Sequence, residues 1–317
     1  MFENTCLRCV SLLLACAGMS ATVHAQDYPI KPVRLVIGFP PGGANDILAR
    51  LITPKLTEML GASFVVENRP GANAMLGAEF VAKAIPDGYT IGLAGLSPLV
   101  ITAFTYARVP YDTLRDFTCI TSVAMNPVLI VVHPSLPTRS LKDLVALAKA
   151  QPGKLDFATA GSGGATRMII ELMKLSAGIS VQVVAYKGGG PALTDLLGGH
   201  VQGMVMDLPV LYPSVKAGKL RALAITPAQR SPLLPDVATA AEQGYPAMQT
   251  SNWYAIIAPV KTPRAVVDKL HGAITKAVQS PDVKEKFLVG GAEPMLSASP
   301  EACMGFFKQE DRKSTRL

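Results

Sequence analysis

The chain has 317 residues, 49% of them hydrophobic and 17% charged, with 27 Gly and 25 Pro. That composition excludes a disordered chain and a small disulfide scaffold, and the length suits about two domains. With 30 Lys and Arg against 23 Asp and Glu, the net charge is +7. The basic residues stand singly and aromatics are only 6% of the chain, which excludes a nucleic-acid surface and leaves attraction of small anions.

Arg8 gives a weakly positive start, 10–19 is small and apolar, and Val23-His24-Ala25 fits a small-x-small cleavage site. Residues 1–25 therefore read as a signal peptide cleaved before Gln26, which sends the mature chain to the periplasm. Leu14-Ala15-Cys16 offers an alternative in which Cys16 becomes an acylated N-terminus. No later run reaches the ~18 apolar residues of a membrane span, so a soluble monomer is expected. Cys119 and Cys303 remain after cleavage; the sequence leaves open whether they pair or stay separate buried thiols.

Apolar β-branched runs then alternate with segments of helical period. Strands are expected at 33–39, 64–66 and 90–94, with helices at 47–60 and 75–84. Further strands fall at 129–132, 155–159, 181–186, 201–206 and 220–226, and helices at 141–149, 166–175 and 192–197. This alternation predicts βαβ units around largely parallel sheets. Ser140 heads a capping box, and Thr262-Pro263, Ser280-Pro281 and Ser299-Pro300 each place an N-cap residue before a first-turn proline. Three helices should close the chain; the first carries an apolar stripe that leaves His271 outward. Crossings near Asn126 and near 251–256 would join two α/β domains through a hinge. One lobe is then 26–126 plus 251–317, and the other 127–250.

Three glycine-rich turns are the candidate site. The first, Phe39-Pro40-Pro41-Gly42-Gly43-Ala44-Asn45-Asp46, ends a strand and opens a helix, where unpaired N–H groups and the helix dipole favour an anion such as a carboxylate. The second, Gly161-Ser162-Gly163-Gly164-Ala165-Thr166, adds hydroxyl groups from Ser162 and Thr166 to small residues that admit a ligand close to the backbone. The third is Tyr186-Lys187-Gly188-Gly189-Gly190-Pro191, and Ser97 and Asp207 complete the candidate set. Each turn also has a plainer reading as a strand-to-helix connection, with Asp46 as an N-cap. None matches a nucleotide-binding pattern, and His133, His200 and His271 lack metal-ligand spacing, so no cofactor and no metal are expected. Ser162, Asp207 and His271 follow the chain order of an α/β-hydrolase triad, which keeps a secreted hydrolase as an alternative.

Tyr28-Pro29, Phe39-Pro40-Pro41-Gly42-Gly43, Val66-Glu67-Asn68-Arg69-Pro70-Gly71, Pro86-Asp87-Gly88-Tyr89-Thr90, Asp116-Phe117, Tyr186-Lys187-Gly188-Gly189-Gly190-Pro191 and Ala217-Gly218-Lys219-Leu220-Arg221-Ala222 together resemble the substrate-binding proteins of tripartite tricarboxylate transporters, the Bug proteins. The resemblance covers about residues 27–308. It implies a type II periplasmic-binding fold that closes two α/β lobes on a small carboxylate, without catalysis, and delivers it to membrane permease subunits; a sensor that presents ligand to a signalling partner is an alternative. It also implies that the loops at 39–46 and 161–166 grip the carboxylate from opposite lobes. Cys119 departs from a proline usual in the family. Arg167 stands where relatives often carry Ser or His, and the residues after Lys308 cease to resemble it. Two helix N-termini balance about one negative charge, which favours a mono- or dicarboxylate unless Arg167 turns into the cleft.

Overall fold

The computed structural model describes residues 28–314; the leader and Cys16 lie outside the described residues. β1 (Val33–Ile37) pairs in parallel with β2 (Phe64–Asn68) and β3 (Thr90–Gly95). Parallel neighbours require crossovers, and α1 (Ala44–Leu60) and α2 (Met75–Ala82) supply them. In α1, Leu48, Ile52 and Leu56 recur every four residues and are fully buried, each stabilising by ~1.5–3 kcal/mol. The helix stops at Gly61, whose left-handed φ of 70° lets its N–H donate to Thr57 O at 3.1 Å.

β4 (Phe117–Val132) links the two halves. Its first part pairs antiparallel with β9 (Ser251–Pro259), which lies between β3 and β4, while Val128 to Val132 pair with β7 (Gly203–Asp207) and β8 (Arg221–Ile225). β5 (Asp156–Thr159) and β6 (Gln182–Ala185) extend the second sheet in parallel from β7. The helices of this half are α3 (Leu141–Ala150), α4 (Ala165–Ala177), α5 (Gly189–Leu197) and α6 (Leu208–Lys216). The chain closes with α7 (Arg264–Gln279), α8 (Pro281–Gly290), the short β10 (Glu293–Pro294) on β4, and α9 (Pro300–Ser314). This is a two-lobed α/β fold, and one apolar cluster contains both Leu48 of the first half and Leu208 and Leu211 of the second. No helix among the described residues is long and apolar enough to cross a membrane.

Several local expectations shift. β4 begins at Phe117 rather than near 129, because Pro127 sits where pairing passes from β9 to β7 and its missing donor breaks the sequence signal without breaking the strand. α1 begins at Ala44 with Gly43 as N-cap, so Asp46 lies inside the first turn and is not the cap. α7 starts at Arg264, and the Thr262 hydroxyl turns back to donate to Pro259 O at 2.8 Å instead of capping it. Ser140 does cap α3, accepting Asp143 N–H at 3.0 Å, and Ser299 accepts Ala302 N–H at 3.1 Å. Cys119 and Cys303 form a disulfide with Cα atoms 5.7 Å apart, tying β4 to α9.

Candidate ligand-binding cleft

The carboxyl ends of β1 and β3 face those of β5 and β7, and between them lies a small cavity of about 30 Å³. Phe39, Gly43, Ala44 and Asn45 line it from the first turn, Ser97 from the segment after β3, and Thr166, Gly189 and Asp207 from the opposite half. Eight of the candidate residues thus converge from distant parts of the chain.

The first turn of α1 presents backbone donors there. The earliest bond into the helix is Ile47 N–H to Gly43 O, so the N–H groups of Ala44 and Asn45 precede the helical ladder. Asn45 is held in place by its Nδ2, which donates to Leu93 O at 3.1 Å. Asp46 does not line the cavity. Its carboxylate fixes the turn instead, accepting from Gly42 N–H, Arg50 Nε and Asn68 Nδ2 at 2.9–3.1 Å. Burial alone would raise its pKa, but these bonds and the Arg50 charge outweigh burial and hold the carboxyl below its ordinary range.

The second loop is anchored to the facing half. Ala165 N–H, at the start of α4, donates to Ser97 Oγ at 3.0 Å, and Thr105 Oγ1 donates to Gly163 O at 2.8 Å. Ser162 Oγ sits 3.0 Å from Tyr106 Oη in an exposed contact at the rim. Inside, Thr166 Oγ1 is 2.6 Å from Thr159 Oγ1 and accepts Ala160 N–H at 3.3 Å. Ser162, Gly163 and Gly164 therefore pack against the opposite lobe and do not line the cavity, as is also true of Gly42 and Gly188. A Cβ at Gly164 would lie 2.7 Å from Asn73 Oδ1, and one at Gly188 would lie 2.7 Å from Pro40 Cδ. Asn73 reaches this position from a run of left-handed residues, Ala72, Asn73 and Ala74, with φ of 46°, 55° and 71°. Such a run in alanines is strained, at ~1–3 kcal/mol per residue, and is sustained only by its surroundings.

At the inner end, Tyr254 Oη donates to Asp207 Oδ2 at 2.9 Å. Asn252 Nδ2 donates to Tyr254 Oη at 2.8 Å and approaches Asp207 Oδ2 at 3.4 Å. Burial, only partly offset by these bonds, pushes the Asp207 carboxyl up to about 6. Asn252 and Tyr254 are lining residues that the sequence reading missed, along with Gly95, Leu96, Pro98, Ala160 and Met206. The available signal was the two-residue spacing of Asn252 and Tyr254, which puts two polar groups on one face of an otherwise apolar strand.

Arg167 does not line the cavity; its guanidinium pairs with Glu171 one turn along α4 at 3.0 Å. The hydrolase grouping is also dispersed. His271 Nε2 lies 3.1 Å from Ser297 O, Ser162 contacts Tyr106, and Asp207 is engaged by Tyr254 and Asn252.

A model of the tripartite tricarboxylate transporter family receptor matches residues 48–317. Protein BugT of Bordetella pertussis is 37% identical over 305 residues, 96% of this chain and 93% of the relative. Among solved structures, the Rhodopseudomonas palustris protein Rpa4515 with adipate is 34% identical, with a TM-score of 0.88 over 91% of this chain and 96% of that one. MatC from Rhodopseudomonas palustris with bound malate is 29% identical, with a TM-score of 0.85 over 90% of this chain and 98% of that one.

Proposed function

Since the chain belongs to the tripartite tricarboxylate transporter receptor family, a family of periplasmic solute-binding proteins, we propose that it captures a small carboxylate in the cleft between its lobes and delivers it to the permease subunits of such a transporter. The observation that carries this reading is the cavity into which the free N–H groups of the α1 N-terminus open, at the carboxyl ends of strands from both halves. The bound adipate and malate of the two structural neighbours support it. The ligand carboxylate sits against Gly43, Ala44 and Asn45, with Ser97, Thr166 and Gly189 across from it and Phe39 beside it. Gly42, Asp46, Ser162, Gly163, Gly164 and Gly188 shape and close the two walls. The lobes, 26–126 plus 251–317 and 127–250, hinge at Asn126 and at Ser251. The protein acts as a monomer in the periplasm after loss of residues 1–25, and its role is capture rather than catalysis.

A thermal-shift screen with malate, adipate, succinate, citrate, benzoate, aspartate and glutamate tests the reading. A carboxylate present at 100 times its Kd stabilises the folded protein by ~2.7 kcal/mol, which raises the melting temperature by several degrees. Absence of a shift with every small carboxylate, including amino acids, refutes the proposal.

A further inference from the structure

Two acceptor oxygens on residues that line the cavity are buried without a partner inside the protein. Asp207 is fully buried and Asn252 is 7% exposed, both line the cavity, and neither Asp207 Oδ1 nor Asn252 Oδ1 receives a hydrogen bond from the protein. The remaining atoms of the cluster are committed. Asp207 Oδ2 takes Tyr254 Oη, and the Asn252 amide donates to Tyr254 Oη and towards Asp207 Oδ2. That donor pattern fixes the orientation of Asn252 and leaves its carbonyl oxygen free. No Lys, Arg or His lines the cavity; the groups acting on Asp207 are the Tyr254 hydroxyl, the Asn252 amide and its own backbone.

An anion held at the α1 N-terminus would therefore share the cavity with a buried carboxylate that has no countercharge. A buried acceptor left unmatched is costly, and a buried charge is retained where it is paired. Both costs are removed by one feature on the ligand: a proton donor, best of all a cationic one with several N–H groups.

Building on the carboxylate reading, we infer that Asp207 and Asn252 form a specificity-determining acceptor pair for a donor carried by the bound carboxylate, and that an ammonium group suits it best. The cavity then selects an amino acid over a plain acid of the same length. A hydroxyl in that place satisfies one acceptor but not the charge and gains less.

Isothermal titration at pH 7.5 with length-matched acids tests this: aspartate, malate and succinate as one series, glutamate and glutarate as another, each on the wild type and on Asp207→Asn. The expected result is that the amino acid of a series binds the wild type at least about tenfold more tightly than the plain diacid, with malate between, and that Asp207→Asn abolishes or inverts the order. A plain diacid that binds the wild type as tightly as its amino partner overturns the inference while leaving the carboxylate reading intact, and so does an unchanged ratio in the variant. Binding of none of the five overturns the inference, and the carboxylate reading then stands or falls on the wider thermal-shift screen. Should Asp207→Asn fail to fold, the wild-type ratios alone decide, and Asn252→Ala, which removes the second acceptor, takes its place.

Discussion

Replacing Gly164 by Ser asks whether the bound state brings the second glycine loop against the facing lobe as closely as the structure does. Gly164 has φ −99° and ψ −177° at the N-cap of α4, a conformation open to any residue and favourable for Ser as a cap. Its own lobe thus gains a few tenths of a kcal/mol from the change, or is indifferent. The opposite lobe is not indifferent, because the added Cβ would stand 2.7 Å from Asn73 Oδ1, 2.9 Å from Asn73 Nδ2 and 2.9 Å from Ser97 Oγ. Ordinary contact returns only if the buried Asn73 amide and the Ser97 hydroxyl turn away or the lobes part there, and either movement disturbs the bond from Ala165 N–H to Ser97 Oγ. Overpacking of this size costs ~1–3 kcal/mol, and it acts only when the lobes meet. We expect the affinity for whichever carboxylate gives a thermal shift to fall about 5- to 150-fold, while the denaturation midpoint of the unliganded protein holds or rises. Calorimetric titration alongside urea melts reads both. Full affinity in a folded variant would show that the loop does not approach Asn73 and Ser97 in the complex.

Asp207→Asn separates the cost of burial from binding. Because the folded protein holds the Asp207 proton up to about pH 6 and the unfolded chain releases it near 4, the ionised group weakens the fold above pH 6 and the penalty disappears as pH falls towards 4. The variant should exceed the wild type by up to about 3 kcal/mol at pH 8 and match it near pH 4; a gap that widens on acidification contradicts this. The Cys119–Cys303 bridge spans a sequence separation of 184, so reduction, or Cys303→Ala, should lower stability by about 2–5 kcal/mol in denaturant melts. A wild-type midpoint indifferent to reductant contradicts pairing. Ser162→Ala and Tyr106→Phe should each weaken ligand binding about two- to fivefold, since the shared contact is exposed. Their double variant should be no worse than either alone, and additive losses refute a shared role.

The first lobe's turn was legible in the sequence because a β-branched run, a Pro/Gly break and an amphipathic run each impose a distinct period, and Phe39, Gly43, Ala44 and Asn45 do reach the cavity. Less legible was which side of a turn meets ligand and which meets protein. Ser162 and Gly164 occupy the same kind of loop as Gly43, yet they serve contacts with Tyr106, Asn73 and Ser97. Those partners lie at least 56 residues away along the chain, beyond any local pattern. Asn252 and Tyr254 were hidden for a different reason. Their strand is buried and mostly apolar, so it registers as core, and only pairing across β9 and β4 reveals that its polar face meets Asp207. The α1 boundary shifted because glycine caps without a side chain, and α7 because Pro263 rather than Thr262 occupies the cap.

The position of β9 also sets an order of assembly. It is an interior strand of its sheet, between β3 and β4, yet it is made after every strand of the second lobe. A chain emerging from its N-terminus can complete the β4–β8 sheet once Ile225 is available, but until Ser251–Pro259 arrives β3 and the first half of β4 keep open edges. Such edges pair with other chains. Synthesis that pauses before Ser251 thus exposes a half-built sheet, and a segment in the last quarter of the polypeptide decides whether β3 and β4 escape aggregation.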